Sequence, residues 1–260
     1  MFFLELWSLH ISYQSESLEG RYVQTLPQQL QIVVLTFADH ASLNRLLRLL
    51  ASSNFHDYRI DLRINVDGLN ETDSEQARYN HGLVRSYSKK FKWPHGSKQV
   101  LIRSGKIGVT ESWLQAASPF DIKLYKYIVV FKEDMMVHAS FFSALMYADS
   151  MGILLDPNVT ALCSQLDVMK ASSWQTYSQT FYESLTHCSH GAIWKAREWF
   201  DYVKFINQSR RSRGGLLINE SMPLGVAGWN RIQHLDVESQ WTWQYHQEQS
   251  KVQIHYTVTS

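Results

Sequence analysis

Residues 127 to 142, YIVVFKEDMMVHASFF, contain the stretch that decides the fold. Residues 128 to 131 are all apolar and run directly into two adjacent acids, Glu133 and Asp134. A short all-apolar run is typical of a strand that is buried on both faces of a parallel sheet. In open α/β sheets, ligands bind just beyond the carboxyl ends of such strands. The segment therefore predicts a central strand with a ligand site at its end.

The segments around this strand alternate between strand and helix patterns. IVVLT (32–36) has the pattern of a buried strand, and Asp39 is a candidate N-cap for the Leu-rich helix that follows. YRIDLRINVDG (58–68) alternates apolar and polar residues, which predicts a strand with one solvated face. The remaining predictions are helices over 73–91, 109–117 and 139–150 and a strand over 98–103. This order predicts an α/β fold with an open, mixed, mainly parallel sheet flanked by helices and a less regular C-terminal part.

Length and charge limit the classes of partner. The chain has 260 residues, 45% of them hydrophobic, which is enough for a sizeable core. The 25 Lys and Arg residues nearly balance the 24 Asp and Glu residues, so we expect no nucleic-acid partner. The first residues are too short an apolar run, interrupted by Glu5 and His10, to span a bilayer, and no transmembrane segment is expected. We interpret residues 1–29 as an N-terminal extension and 30–260 as one domain.

Cysteines and glycosylation sequons bear on the compartment. Cys163 and Cys188 permit one disulfide without requiring it. Asn-X-Ser/Thr sequons begin at Asn70, Asn158, Asn207 and Asn219. The sequons favour a glycoprotein of the Golgi or endoplasmic reticulum lumen. A cytoplasmic location is the alternative, because cytosolic proteins also carry unused sequons.

Acids at the ends of two predicted strands outline a candidate nucleotide site. Glu133 and Asp134 could ligate a hard divalent cation, which in turn could neutralise a diphosphate. Asp67 could accept hydrogen bonds from a nucleobase N–H or from ribose hydroxyls. The alternative is that the two acids cap the next helix and that Asp67-Gly68 forms only a turn. Neither GxGxxG nor GxxxxGK[ST] occurs in the chain, which removes most support for a nicotinamide or P-loop site.

Six segments, in order, resemble the glycosyltransferases of the GT-A fold, especially N-acetylglucosaminyltransferase I and its family-two relatives. They are IVVLTFAD (32–39), INVDG (64–68), FKWPHGSKQV (91–100), IGVTESWLQA (107–116), YIVVFKEDMMVHASFF (127–142) and GILLDP (152–157). A later segment, 187–205, is similar to the part of the family in which a Trp-Gly motif precedes a helix. The resemblance implies one GT-A-like domain with a nucleotide-sugar half at 30–157 and an acceptor half at 158–260.

The resemblance also implies an activity. It is the transfer, with inversion, of a hexose or N-acetylhexosamine from a nucleotide diphosphate donor, usually a UDP-sugar, to a hydroxyl of a glycan or glycoprotein acceptor. The candidate donor-binding residues are Thr36, Asp67, Gly108, Trp113, Lys132, Glu133 and Asp134. Inversion needs a general base, and the candidates in the corresponding part of the chain are Glu220, Asp236 and Glu238.

The metal motif departs from the family pattern. In relatives an acidic triplet contacts Mn²⁺ or Mg²⁺, and Glu133 and Asp134 match its first two acids. Met135 occupies the third position, usually the direct ligand, and a thioether cannot replace a carboxylate for a hard cation. Either Asp134 binds the metal, or diphosphate and water hold it, or catalysis is metal-free or lost.

The sequence leaves more than one interpretation of Lys132 and of the overall function. Lys132 either pairs with Asp134 or contacts the diphosphate in place of a cation. One alternative to an active transferase is a catalytically inactive GT-A-like protein that binds a nucleotide sugar or a glycan. Another is an unrelated Rossmann-like interaction domain whose acids are helix caps.

Overall fold

A computed structural model describes residues 28–117, 121–137, 141–163, 176–178, 181–184, 188, 191–213 and 238–256. The strands in these residues are β1 (Gln28–Thr36), β2 (Ile60–Val66), β3 (Lys98–Ile102), β4 (Tyr125–Lys132), β5 (Val159–Cys163), β6 (Thr176–Ser178), β7 (Phe181–Ser184), β8 (Ala192–Lys195) and β9 (Val252–Tyr256). The helices are α1 (His40–Ala51), α2 (Glu75–Lys90), α3 (Val109–Leu114), α4 (Asp121–Leu124), α5 (Phe141–Ser150), α6 (Ala196–Arg213) and α7 (Glu238–Gln249), with a short 3₁₀ helix at Ile153–Leu155.

All these strands join one sheet in the order β3-β2-β1-β4-β8-β5-β9-β7-β6. β1 pairs in parallel with both β2 and β4, and β2 pairs in parallel with β3. β8 runs antiparallel between β4 and β5, β9 is parallel to β5, and β7 is antiparallel to both β9 and β6. Only β7 and β8 therefore run against the other strands of the described sheet. The predicted α/β class, with an open, mixed and mainly parallel sheet, is confirmed.

Both faces of β1 are buried, which explains its unbroken apolar sequence. Ile32 and Val34 pack on one face with the leucines of α1, whereas Val33 and Leu35 pack on the other with a tryptophan-rich cluster. The predicted apolar face of α1 is buried, namely Leu43, Leu46, Leu47 and Leu50. Asp39 caps the helix as predicted, because its Oδ1 accepts a hydrogen bond of 3.0 Å from the Ser42 backbone N–H.

The polar side of β2 is covered by protein, so the predicted solvated face is wrong. Asp61 and Asn65 are 6% and 2% exposed. Asp61 Oδ2 accepts a hydrogen bond of 2.9 Å from the Tyr125 hydroxyl. Arg63 donates two hydrogen bonds of 2.9 Å to the carboxylate of Asp121, the first residue of α4. Alternation identified the two sides of the strand correctly, but Asp61 and Arg63 pair with residues of later elements, and the buried side-chain amide of Asn65 has no hydrogen-bond partner in the described structure.

A disulfide joins Cys163, at the end of β5, to Cys188, shortly before β8. Both residues are buried in the tryptophan-rich cluster, at 0% and 2% exposure. The pairing that the sequence left open is therefore formed. Within the described ranges, no helix combines the length and apolar character that crossing a membrane requires.

Candidate functional site

The carboxyl ends of β1, β2 and β4 open into one cleft of about 390 Å³. β1 lies between the other two strands, so the residues that follow β2 and β4 flank those that follow β1. The lining residues are Leu35, Thr36, Phe37, Asp39, Asp67, Lys106, Gly108, Val109, Ser112, Lys132, Glu133 and Asp134. This volume is in the usual range for small-molecule sites, which is roughly 300 to 1,000 Å³.

The cleft brings together six of the predicted donor-binding residues: Thr36, Asp67, Gly108, Lys132, Glu133 and Asp134. Trp113 does not line it. This tryptophan is 5% exposed, and its ring centroid lies 4.4 Å from that of Trp199 in the core. The ligand role predicted for Trp113 is therefore corrected to core packing, since α3 turns the side chain towards α6.

The three candidate bases cannot be placed at the cleft. Glu220 and Asp236 lie outside the described residues. Glu238 is the first residue of α7, but its side chain is outside the description. The assignment of a general base to one of them stays a prediction.

Asp67 organises the loop on one side of the cleft. Its Oδ1 accepts hydrogen bonds from the backbone N–H groups of Gly68 at 2.8 Å and Ile107 at 3.0 Å. Its Oδ2 accepts a third, of 3.0 Å, from the Gly108 N–H. Because a carboxylate has about four acceptor positions, roughly one remains for a ligand. Asp67 thus fixes the turn before α3 as well as lining the cleft.

Two positions in the loops beside the cleft require glycine. A Cβ built on Gly68 would lie 2.2 Å from the backbone carbon of Gly105, which is far inside van der Waals contact. Gly108, which precedes α3, has φ of +83°, a conformation that favours glycine. The cleft therefore depends on backbone contacts that side chains would prevent.

Glu133 closes the gap between the ends of β1 and β4. Its Oε2 accepts hydrogen bonds from the Thr36 hydroxyl and, at 3.0 Å, from the Phe37 backbone N–H. Burial raises the pKa of Glu133 above its ordinary value, although these two hydrogen bonds act in the opposite direction. Glu133 is thus a structural link in the floor of the cleft.

Replacing Glu133 by glutamine is expected to remove part of the pH dependence of stability. Since the pKa of Glu133 is raised on folding, the folded protein holds its proton more tightly than the unfolded chain. From the ordinary glutamate pKa of about 4.3 up to the raised value, the free energy of unfolding therefore falls as the pH rises. Urea unfolding of wild type and Glu133→Gln across this window measures the effect.

The matched control is Glu71→Gln, which changes an exposed glutamate in the loop after β2. We expect Glu71→Gln to follow the wild-type pH profile and Glu133→Gln to be flatter. Equal slopes for Glu133→Gln and wild type would contradict the assignment.

The side chains of Asp134 and Met135 lie in different environments. Asp134 is exposed at the cleft, whereas Met135 is 7% exposed and packs in the core. The Met135 sulfur accepts a hydrogen bond of 3.3 Å from the Lys132 backbone N–H, which fastens the turn after β4. Met135 is therefore a core residue of this turn and not a cleft ligand.

The acids of the cleft do not fit a cage for a divalent cation. Asp39, Asp67 and Glu133 all accept hydrogen bonds from backbone N–H groups, and Asp39 and Asp134 are the exposed lining acids. Over the described part of the chain, no three Asp, Glu, His or Cys side chains come together as a possible metal site. The predicted metal role of Asp134 rests on a single carboxylate.

Two lysines bring positive charge to the same cleft. Lys132 is half-buried at the end of β4. The described ion pairs do not include one between Lys132 and Asp134, which was one of its two predicted contacts. Lys106 pairs with Asp73 at 3.0 Å, and its ammonium lies 4.1 Å from the centre of the Phe37 ring. These two side chains are the cations that a bound diphosphate would meet.

Sequence reasoning missed Lys106 and Ser112. Lys106 lies in the loop between β3 and α3, and Ser112 lies one helical turn after Gly108. Ser112 is 5% exposed, and its hydroxyl has no hydrogen-bond partner within the described structure. An unpartnered hydroxyl beside a glycine-led helix start is a signal visible only in three dimensions.

Comparison with known proteins finds no matching family model and no matching curated protein. Among solved structures, TarS residues 1–349 of S. aureus matches with 14% identity and a TM-score of 0.43, over 68% of this chain and 49% of that one. The complex of the same fragment with UDP-GlcNAc matches with 14% identity and a TM-score of 0.42, over 68% and 48%.

A mannosyltransferase, PcManGT from Pyrobaculum calidifontis in complex with GDP-Man and Mn²⁺, matches with 12% identity and a TM-score of 0.40, over 75% of this chain and 49% of that one. The chain thus spans about half the length of the solved structures that it matches. At these identities and TM-scores, the matches carry neither an activity nor a donor over to this chain.

Proposed function

We propose that this protein is a glycosyltransferase that moves a sugar from a nucleotide diphosphate donor to an acceptor hydroxyl. The observation that carries the proposal is the single cleft at the carboxyl ends of β1, β2 and β4, where ligands bind in open α/β sheets. The ordered sequence segments that resemble GT-A enzymes support the same proposal. We favour a UDP-linked hexose or N-acetylhexosamine as donor and a glycan or glycoprotein as acceptor, with inversion at the sugar carbon.

The cleft residues divide into those that shape it and those that face the donor. Asp67 and Glu133 hold the loops in place through backbone N–H groups. Lys132 and Lys106 supply positive charge for the diphosphate. Asp134 and Asp39 are the exposed carboxylates of the cleft.

The acceptor half supplies the remaining chemistry in this proposal. Residues 30–157 hold the donor, and 158–260 hold the acceptor. A general base from Glu220, Asp236 or Glu238 takes the proton of the acceptor hydroxyl as the oxygen attacks the sugar carbon and the nucleoside diphosphate leaves.

The test is release of nucleoside diphosphate from a panel of UDP-sugars and GDP-sugars, with EDTA and with Mn²⁺. An active transferase releases UDP or GDP, and does so faster when acceptor is added. Lys132→Gln should slow release, whereas Lys92→Gln, which removes an exposed lysine remote from the cleft lining, should not. Absence of both binding and release for every donor would contradict the proposal.

A second candidate function is a catalytically inactive protein that binds a nucleotide sugar or a glycan. It is favoured by Met135, which fills the core where an active relative is expected to present an acid. Such a protein would bind UDP-sugar in isothermal titration and yet show no release or transfer under any condition. Donor release that is lost in Lys132→Gln would eliminate it.

We propose that the protein matures in the lumen of the Golgi or endoplasmic reticulum. The disulfide Cys163–Cys188 supports an oxidising compartment, and the sequon residues Asn70, Asn158 and Asn207 are exposed. In a secretory host, removal of N-glycans with an amidase should increase electrophoretic mobility, and Asn70→Gln with Asn158→Gln should reduce the shift. Unglycosylated protein with both thiols free would contradict this location.

A further inference from the structure

A second cavity, of about 330 Å³, adjoins the loop that Asp67 organises. It is lined by Leu69, His81, Arg85, Ile102, Arg103 and Ser104. None of these residues lines the cleft described above. The two cavities nevertheless border the same turns, because Leu69 follows Gly68 and Ser104 precedes Gly105. We call the second cavity the arginine pocket.

Two arginines enter the pocket from different elements. Arg85 lies on α2 one turn after His81, so both residues are on one face of that helix. Arg103 follows β3, and its backbone N–H donates a hydrogen bond of 3.0 Å to the Val66 carbonyl, which fixes its position beside β2. The pocket is thus built on a helix and a strand end and does not depend on one mobile segment.

Neither guanidinium has a protein partner within the described residues. Arg85 and Arg103 are absent from the described ion pairs, and no carboxylate lines the pocket. The Nε of Arg103 is buried and makes no hydrogen bond. A buried N–H without an acceptor costs about 1 to 3 kcal/mol, and more when the group is charged. Arg103 Nε is therefore an unsatisfied buried donor, and the two guanidinium groups bring uncompensated positive charge to the pocket.

His81 forms a fixed part of the pocket wall. It is 3% exposed, and its Nε2 lies 2.8 Å from the Asp67 carbonyl oxygen. Since a carbonyl only accepts, Nε2 carries the proton of this hydrogen bond. The contact also ties the pocket to the residue whose carboxylate shapes the cleft.

We propose that the arginine pocket binds an oxyanion, a phosphate, sulfate or carboxylate group, through the guanidinium groups of Arg85 and Arg103. A planar guanidinium can donate two parallel hydrogen bonds to such a group, and two guanidinium groups from different elements can hold it from two sides. The oxyanion is either a free ion or an anionic substituent on a sugar. This site does not depend on the proposed transferase activity.

The test is isothermal titration of the whole chain with two probes, inorganic phosphate and glucose 6-phosphate. We expect both to bind, with affinity that falls as salt is added. Arg85→Gln and Arg103→Gln should each weaken binding about tenfold, the usual scale for one charge-assisted contact. Arg197→Gln, at an exposed arginine on α6, should leave it unchanged. Equal affinity for the two probes assigns a free-ion site, and tighter glucose 6-phosphate binding assigns a site for an anionic sugar.

Absence of binding by both probes, or equal affinity in wild type and the Arg85 and Arg103 variants, would overturn the proposal. Arg85 is exposed on a helix surface, so its replacement is not expected to unfold the protein. Arg103→Lys keeps the charge but loses the planar fork, and it should bind phosphate more weakly than wild type. Thermal melting of each variant without probe separates lost binding from lost folding.

Discussion

Replacing Asp67 by alanine is expected to lower the free energy of unfolding by roughly 3 to 6 kcal/mol and to abolish nucleotide binding. The carboxylate accepts three hydrogen bonds, from the backbone N–H groups of Gly68, Ile107 and Gly108. An unsatisfied buried N–H costs about 1 to 3 kcal/mol. The hydrogen bond from Gly68 is buried and the other two are part-buried, so water that enters the loop relieves part of the cost. Urea unfolding measures the stability, and isothermal titration with UDP well below the melting temperature measures the binding.

The matched control is Asp201→Ala, which removes an exposed aspartate on α6 and should change neither quantity. Asp67→Asn keeps one oxygen acceptor and should fall between alanine and wild type. The backbone hydrogen bonds of Asp67 couple its effect on nucleotide affinity to its effect on stability. An Asp67→Ala variant as stable as Asp201→Ala would contradict the loop-anchoring role.

Replacing Arg63 by alanine is expected to lower the free energy of unfolding by about 3 to 5 kcal/mol, the usual cost of removing one partner of a buried ion pair. The partner, Asp121, is 1% exposed and accepts both 2.9 Å hydrogen bonds from the Arg63 guanidinium. Arg63 also donates to the Ala116 carbonyl at 3.2 Å. The same change thus releases β2, the end of α3 and α4 from one another. Urea unfolding monitored by circular dichroism measures it.

Arg59, directly before β2, provides a matched control, because it alternates with Asp61 and Arg63 on the polar side of this segment. Its side chain is 64% exposed, and its contact with Asp61 is long, at 3.5 Å. Exposed pairs contribute about 0 to 1 kcal/mol, so Arg59→Ala should be close to wild type. If Arg63→Ala and Arg59→Ala lowered the free energy of unfolding equally, the Arg63–Asp121 pair would not contribute the predicted stability.

The parallel half of the fold was predictable because the buried faces of its strands are apolar in the sequence. β1 and β4 are apolar on both faces, and α1 repeats leucines at helical spacing after a capping aspartate. The burial of Asp61 and Asn65 was not predictable, since alternation reports polarity and not which later element will cover a strand. Tyr125 and Asp121, which cover that face, lie about 60 residues away, as the Tyr125–Asp61 separation of 64 shows.

The candidate site was predictable in its position but not in its detailed contacts. Residues after β2 and β4 were expected to meet, and they do so across β1, which separates the two strands. The hydrogen bond from Thr36 to Glu133 joins residues that are 97 positions apart in the sequence. The Met135 side chain lies in the core, where its sulfur accepts a hydrogen bond from the Lys132 backbone N–H. Neither contact has a local sequence signature. The C-terminal strands are short and mixed in direction, so periodicity identified little there.

The central claim, that a nucleoside diphosphate binds between the ends of β1, β2 and β4, is tested most directly by hydrogen exchange and mass spectrometry with UDP. The account predicts slower exchange in segments 36–39, 67–68, 106–112 and 132–134, which carry the cleft lining. Unchanged exchange in all four segments at a UDP concentration that saturates binding, or protection confined to other parts of the chain, would contradict it.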